Sequence, residues 1–333
     1  MTDFTALTFE EIIPRISEPK NTLILFHRNP DADAVGSAYA MKKVLTDLGS
    51  RAWCVCGEEI PARLRFLCDT EQESVLPENI PTGFEIERVI AVDTASPFQL
   101  GRLNELYGDR VDLMIDHHGM GEPYADHYVR PDAAATGEIM FDLVKQLATD
   151  GYVNIDEALC VDLYAAISAD TGGFRFSNVT SETHLRAAEL LASGIDSGEI
   201  NHLLFDCNSM EQLRAQGAGI SNLQLFGEGK VAVITFPYAL KAALGLEDHH
   251  LSTLVDVARS LEGVKVAISV RQPGTDGSFH VSMRASCDYD VSEVCARFGG
   301  GGHERAAGCT FSAENMEDAV EKLIGAIDFD ALN

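Results

Sequence analysis

The sequence predicts an α/β protein of two domains: a larger N-terminal domain built on a parallel sheet and a smaller C-terminal α/β domain, joined by a helical linker. Three observations lead there. Short apolar, β-branched runs alternate with helical patterns through residues 20–194, the arrangement from which crossover units and parallel sheets are made. Residues 195–226 then carry helical patterns with no strand between them. Strand and helix signals resume over 227–333. A length of 333 residues agrees with two domains, and the expected boundaries are 1–194, 195–226 for the linker, and 227–333.

Residues 8–18 read as a short helix docking the first strand, Thr22–Phe26. That strand is uniformly apolar, which suits a parallel strand covered on both faces. An amphipathic pattern from Ala34 to Leu48 follows and stops at Gly49, a residue suited to the left-handed helix end. Arg51–Cys56 is the second strand, 61–68 a short helix, and Pro77, Pro81 and Gly83 mark a loop. Arg88–Asp93 and Val111–His118 are further buried strands, with a helix at Pro97–Tyr107 between them. Helices follow at Thr136–Thr149, Ile155–Ala169 and Ser181–Leu191, and the linker holds helices at Asp196–Asp206 and Ser209–Phe226. In the second domain Lys230–Phe236 is a strand, followed by helices at 237–245 and 250–260. Strands Val264–Arg271 and Phe279–Ser286 are joined by the turn Pro273–Gly277. A helix at 291–298, a run of four glycines, a strand at Ala307–Phe311 and a helix at Ala313–Ile327 close the chain.

The net charge of −27, from 25 basic and 52 acidic residues, opposes binding of long duplex nucleic acid, whose phosphates are held by Lys and Arg. It leaves open a small anionic substrate held by metal ions. The eight cysteines contain no C-x-x-C pair, so buried free thiols in a reducing cytoplasm are expected rather than disulfides or a zinc site. The start, Met1-Thr2-Asp3-Phe4 and the acidic stretch after it, lacks the regions of a signal peptide, and no apolar run is long enough to span a membrane.

Chemistry-bearing residues recur at strand ends. His27, Asp31 and Asp33 follow the first strand directly, in a turn set by Pro30. Ligands of open α/β sheets bind at such carboxyl ends. Taken singly, an Asp here could be a helix cap. The repetition argues for a site: Asp93 ends one strand, and Asp116-His117-His118 ends another. Asp170, before Gly172-Gly173, supplies a further carboxylate. His27, Asp31, Asp33, Asp93, His117 and Asp170 are enough for two octahedral ions sharing a bridging carboxylate, and this donor set suits Mn²⁺. Such a pair clamps an in-line displacement at phosphorus, activating water and neutralising phosphoryl charge. Asp93, on a central strand, is the natural bridge. His118 would face the substrate, donating a hydrogen bond to the phosphate or assisting the leaving oxygen, with Asp116 orienting His118 or His117. In the C-terminal domain Gly299–Gly302 could turn backbone amides toward a phosphate, next to His303 and with Arg284 on the preceding strand. The later triplet Asp248-His249-His250 follows a helical pattern, and Asp248 reads as a helix cap. Arg102 and Arg175 are expected in surface ion pairs.

His27-x-Asn-Pro-Asp31-x-Asp33-x-x-Gly-Ser, Val92-Asp93, Asp116-His117-His118 and Asp170-Thr-Gly-Gly-Phe resemble the four motifs of the DHH phosphoesterase superfamily. Gly299–His303, with Ser282 and Arg284, resembles the substrate-binding motif of the DHH-associated C-terminal domain. Within that family the chain is most similar to stand-alone bacterial nano-RNases. The resemblance implies one Mn²⁺ on His27, Asp31 and Asp93 and another on Asp33, Asp93, His117 and Asp170, with Mg²⁺ or Co²⁺ as substitutes. It also implies that Ser282, Arg284, Gly300, Gly301, Gly302 and His303 hold the substrate across a cleft. The implied substrates are short oligoribonucleotides, linear dinucleotides and 3′-phosphoadenosine 5′-phosphate (pAp); the oligomeric state is left open, a homodimer being the candidate assembly. The alternatives are a cyclic dinucleotide phosphodiesterase, a RecJ-like single-strand exonuclease, a pyrophosphatase or exopolyphosphatase, and a non-catalytic nucleotide-binding module. The short chain and acidic surface disfavour the exonuclease. The Gly299–His303 loop disfavours the pyrophosphatase, and the complete motifs disfavour the module.

Overall fold

The apolar runs set the architecture. The computed structural model describes residues 4–69, 72 and 74–332, and the chain divides into two units, Met1–Cys207 and Asn208–Asn333. The first unit begins with α1 (Phe9–Ser17), started by a capping box between Thr8 and Glu11. Its five strands are β1 (Thr22–Leu25), β2 (Ala52–Val55), β3 (Arg88–Val92), β4 (Leu113–Asp116) and β5 (His127–Val129). They pair in the order β2-β1-β3-β4-β5, all parallel. The helices are α2 (Ala32–Asp47), α3 (Arg102–Tyr107), α4 (Thr136–Thr149), α5 (Glu157–Asp170), α6 (Ser181–Leu191) and α7 (Ser197–Asn201).

Both faces of this sheet are buried, which is why its strands read as unbroken apolar runs. Ile24, Phe26, Ile90 and Val92 join the core on the side of α2, α4 and α5, whereas Leu23, Leu25, Val89 and Ala91 join the core beside α3. From β1 the chain steps to β2 on one side and then to β3 on the other. The carboxyl ends of β1 and β3 therefore flank the fork where doubly wound sheets hold ligands. Two glycines let the helices over this fork approach closely. A Cβ on Gly36 of α2 would lie 2.4 Å from the Asp162 carbonyl oxygen of α5, and one on Gly137 of α4 would lie 2.6 Å from the Ala166 Cβ.

The second unit starts with α8 (Met210–Ser221) and holds a six-stranded sheet of β6 (Leu223–Phe226), β7 (Val231–Phe236), β8 (Val266–Arg271), β9 (Ser278–Ala285), β10 (Gly301–His303) and β11 (Ala306–Ser312). The order is β10-β11-β9-β8-β7-β6, antiparallel except for β7 against β8. Its other helices are α9 (Tyr238–Ala243), α10 (Leu254–Arg259), α11 (Val291–Ala296) and α12 (Met316–Gly325). One sheet face packs Val266, Ile268, Val281 and Met283 with residues of α11 and α12; the other packs Ala232, Ile234 and Ala267 with Leu254, Val255 and Ala258 of α10.

Several expectations need correction. The stretch 195–226 is not wholly helical: the expected helix Ser209–Phe226 ends at Ser221, and Leu223–Phe226 is the edge strand β6. Gly227, Glu228 and Gly229 all take positive φ and fold β6 back onto β7, a hairpin signal that the helical pattern masked. The helix expected from Pro97 begins only at Arg102, because Gly101 at φ +58° separates it from the turns before it. Strand β5, three half-buried residues at the sheet edge, was too short to show a pattern. Asp248 caps no helix among the described residues. The residue before the turn Asp248–Leu251 is Glu247, and Asp248 instead pairs with Lys241. Arg102 does pair with Glu78, but among the described residues Arg175 makes no ion pair; it donates to the Gly172 carbonyl and lies over the Phe205 ring. All eight cysteines are free, yet Cys207 is exposed rather than buried. Among the described residues no helix is long and apolar enough to cross a membrane. Residues 1–3, the first part of the start read for a signal peptide, lie outside the described residues.

The α2–α5 crossing leaves no room for a side chain at Gly36. Gly36→Val is expected to destabilise the chain by roughly 2–4 kcal/mol, the scale of overpacking against backbone that cannot yield. Urea denaturation followed by circular dichroism measures it.

Candidate metal centre

Four segments bring the N-terminal site residues together. His27 lies two residues beyond β1. Asp31 is the N-cap of α2, its carboxylate accepting from the Ala34 amide at 3.0 Å. Asp33 is fully buried in the first turn of that helix. Asp93 follows β3 directly, Asp116 ends β4 with His117 and His118 after it, and Asp170 is the last residue of α5.

The geometry falls into two groups that meet at Asp93. In the first, His27 Nε2 lies 3.6 Å from Asp31 Oδ1 and 3.4 Å from Asp93 Oδ2. In the second, His117 Nε2 lies 3.8 Å from Asp33 Oδ2, 3.8 Å from Asp93 Oδ1 and 3.2 Å from Asp170 Oδ2. The two oxygens of Asp93 thus face different groups. Its backbone sits at φ +54°, a conformation that costs energy outside glycine and that aims the side chain across the fork. The Asp93 amide donates to the Ile115 carbonyl at 2.9 Å, tying this turn to β4.

Supporting hydrogen bonds fix the carboxylates. Asp33 accepts from the first amides of α4, with Thr136 N at 2.7 Å on Oδ2 and Gly137 N at 2.8 Å on Oδ1, and from Ser37 Oγ at 3.1 Å. The partial positive charge of that helix end suits a buried carboxylate. Thr136 Oγ1 donates to Asp93 Oδ1 at 2.9 Å. His117 Nδ1 lies 3.2 Å from the Ala133 carbonyl, which fixes the ring with Nε2 toward the carboxylates. Asp116 Oδ1 is 2.7 Å from His118 Nδ1 and accepts from the His117 amide at 2.9 Å. Thr136 and Gly137 did not emerge from the sequence as site residues, and Ser37 stood only as the last residue of the first motif. For Thr136 and Gly137 the signal was a Thr-Gly pair opening a helix, which reads as ordinary helix initiation.

The cluster is electrostatically incomplete as a protein core. Among the described residues the ion pairs of Asp31, Asp33, Asp93 and Asp170 are all to histidines, never to Lys or Arg. Burial opposes charge on His27, but Asp31 and Asp93 outweigh it and raise its pKa well above the usual value. His117 is likewise raised well above, burial being overcome by Asp170, Asp33 and Asp93. Burial pushes Asp33 well up, with Asp93 and Asp170 adding to it. Burial would raise Asp93 too, but His27, His118 and His117 hold it below the carboxylate range. Carboxylates and imidazoles in two groups around one buried carboxylate are the donor chemistry of a pair of divalent cations. The residues fit that group. His118 is raised as well, burial being outweighed by Asp116.

The C-terminal candidates belong to the second unit. Ser282 and Arg284 lie two residues apart on β9 and so share a sheet face. The glycine run does not form the expected nest at its start: the Gly299 and Gly300 amides donate to the Ala296 and Cys295 carbonyls and close α11. Gly301–His303 pairs with β11. A Cβ on Gly300 would lie 2.2 Å from the Gly308 carbonyl oxygen, and one on Gly302 would lie 2.5 Å from that of Ala306, so close packing demands these glycines.

Residues 21–167 match the DHH family, N-terminal domain, and residues 229–328 match the DHHA1 domain. The chain is 29% identical over 318 residues to the bifunctional oligoribonuclease and PAP phosphatase NrnA of Thermus thermophilus, covering 95% of this chain and 91% of that protein. It is 25% identical over 317 residues to the enzyme of the same name from Bacillus subtilis, covering 93% and 95%. A crystal structure of an exopolyphosphatase-related protein from Bacteroides fragilis shares the fold, with a TM-score of 0.84 at 20% identity over 97% of this chain and 95% of that one.

Two outcomes follow from the site geometry. Thr136→Val is expected to weaken Mn²⁺ binding about 10- to 100-fold by calorimetry, with Thr136→Ser restoring it, since only the hydroxyl reaches Asp93. Without metal, His27 and His117 keep protons that an incoming ion must displace. Mn²⁺ affinity should therefore rise from about pH 6 to about pH 8, with proton release visible as a buffer-dependent binding enthalpy. An affinity that falls over this range would contradict the protonation assigned here.

Proposed function

The chain belongs to the DHH family, with the N-terminal domain and the DHHA1 domain in order, and we propose that it is a metal-dependent phosphoesterase that hydrolyses short oligoribonucleotides and linear dinucleotides to mononucleotides, and pAp to AMP. The observation that carries this reading is Asp93, whose two oxygens turn to two separate His/Asp groups. Mn²⁺ is the ion we assign to each group: one on His27, Asp31 and Asp93, the other on Asp33, Asp93, His117 and Asp170. Bound there, two such ions would lower the pKa of a water and neutralise charge on the phosphoryl oxygens.

The remaining steps belong to the chain. Asp33, held by the α4 amides, keeps its geometry as the substrate's charge arrives. Asp116 fixes the His118 ring by its Nδ1 side and favours the protonated imidazole. His118 therefore suits proton donation to the leaving oxygen or a hydrogen bond to the scissile phosphate. Arg284, Ser282 and His303 of the second unit are assigned to the nucleotide, with Gly300, Gly301 and Gly302 shaping the hairpin that carries His303. The free state of all eight cysteines supports a reducing, cytoplasmic setting, and the net charge of −27 supports short substrates over long duplexes.

Release of AMP from pApA and from pAp by the purified chain with Mn²⁺ tests the reading. Asp93→Asn is expected to lower kcat on both by roughly 10²–10³-fold or more, because one carboxylate serves both groups. Unchanged turnover in that variant would remove Asp93 from the mechanism.

A further inference from the structure

The second unit carries a cationic cluster in a chain that is otherwise strongly acidic. On β9 and its neighbours the register sets three rows across one sheet face. Ala267, Arg284 and Ala306 form one; Ser269, Ser282 and Gly308 the next; Arg271, His280 and Thr310 the third. Rows two residues apart along a strand are about 7 Å from one another. Arg284 and Arg271 thus stand on either side of a row whose side chains are two serines and nothing at Gly308.

Arg271 leans into that gap. Its Nη2 is 3.4 Å from Ser282 Oγ, a marginal contact, and its Nε is buried with no hydrogen-bond partner among the described residues. Such a donor costs stability unless something accepts from it. The nearby carboxylate, Asp248, is already taken: Lys241 pairs with it and also donates to the Pro273 carbonyl at 2.7 Å. Burial lowers the pKa of Arg271; Asp248 opposes this and the charge of Arg284 adds to it, so the two guanidiniums feel one another. His280 feels the Arg271 charge from the same row. Two guanidiniums and an imidazole around small residues, with an unused N–H, call for an anion with several acceptor oxygens.

We propose that Arg271, with Arg284 and Ser282, forms a phosphate subsite over the Ser282–Gly308 step of the sheet, which holds a phosphoryl group of the nucleotide other than the one cleaved. This rests on the reading of the chain as a nucleotide phosphoesterase and adds what it lacks: a residue that makes the enzyme prefer substrates with a second phosphate. Arg271 is a binding residue in this account and has no part in the chemistry at phosphorus.

The test compares pApA with ApA, which lacks the 5′-phosphate, on the full chain and on Arg271→Gln, with Mn²⁺. The expected result is a KM for pApA raised 10- to 100-fold in the variant, the worth of a charge-assisted hydrogen bond, with kcat within about threefold and ApA unaffected. Arg271→Lys, which keeps the charge but not the fork, should recover only part of the loss. Equal losses on both substrates, or none on either, would overturn the subsite. If the wild-type chain cleaves neither dinucleotide, the phosphoesterase reading fails, and the subsite is judged by calorimetry of the metal-stripped chain with inorganic pyrophosphate. Binding lost in Arg271→Gln supports it; no wild-type binding, or binding unchanged in the variant, removes it. Circular dichroism checks folding, and should Arg271→Gln unfold, Arg271→Lys carries the same comparison.

Discussion

The buried carboxylate of Asp33 is the interaction on which the first unit turns. It sits in the first turn of α2, yet its oxygens are bonded to the first amides of α4, more than a hundred residues later. That single contact fixes α4 against the β1 end of the sheet. Through Thr136 the same helix end reaches Asp93, and through the Ala133 carbonyl just before it, His117. A local capping bond is worth about 1 kcal/mol. Here a comparable bond is made across the domain, so the helix terminus and the carboxylate cluster stand or fall together.

Much of this was legible in the sequence because it follows from short-range patterns. Apolar runs ending in Asp or His gave the strands and the residues at their tips, and the sheet order then carries those tips to one fork. In the structure His27 stands with Asp31 and Asp93, and His117 with Asp33, Asp93 and Asp170. What escaped was set by contacts between distant segments. Thr136 looks like any helix-starting threonine until Asp93 is placed beside it. The left-handed backbone at Asp93 has no sequence marker, since nothing before a strand's end announces φ +54°.

The second unit shows the same limit from the other side. Four glycines in a row suggested amides free to bind phosphate. In the structure two of those amides close α11, and the missing side chains make room for β11. Glycine signals close approach or conformational freedom equally well, and only the partner strand decides. Edge strand β6 was hidden for a related reason: Leu223, Leu225 and Phe226 continue the apolar spacing of α8, and the hairpin turn that separates them is visible only in the Gly-Glu-Gly that follows.

The cluster's dependence on histidines alone for counter-charge reaches beyond catalysis. Its members come from residues 27 to 170, so a cation held there would stitch together segments from distant parts of the chain. Ligation of the native state alone lowers the population of open forms by mass action. Without such an ion the first unit would sit in a looser state, with a shorter lifetime against proteases, and the protein's abundance would follow the supply of that ion.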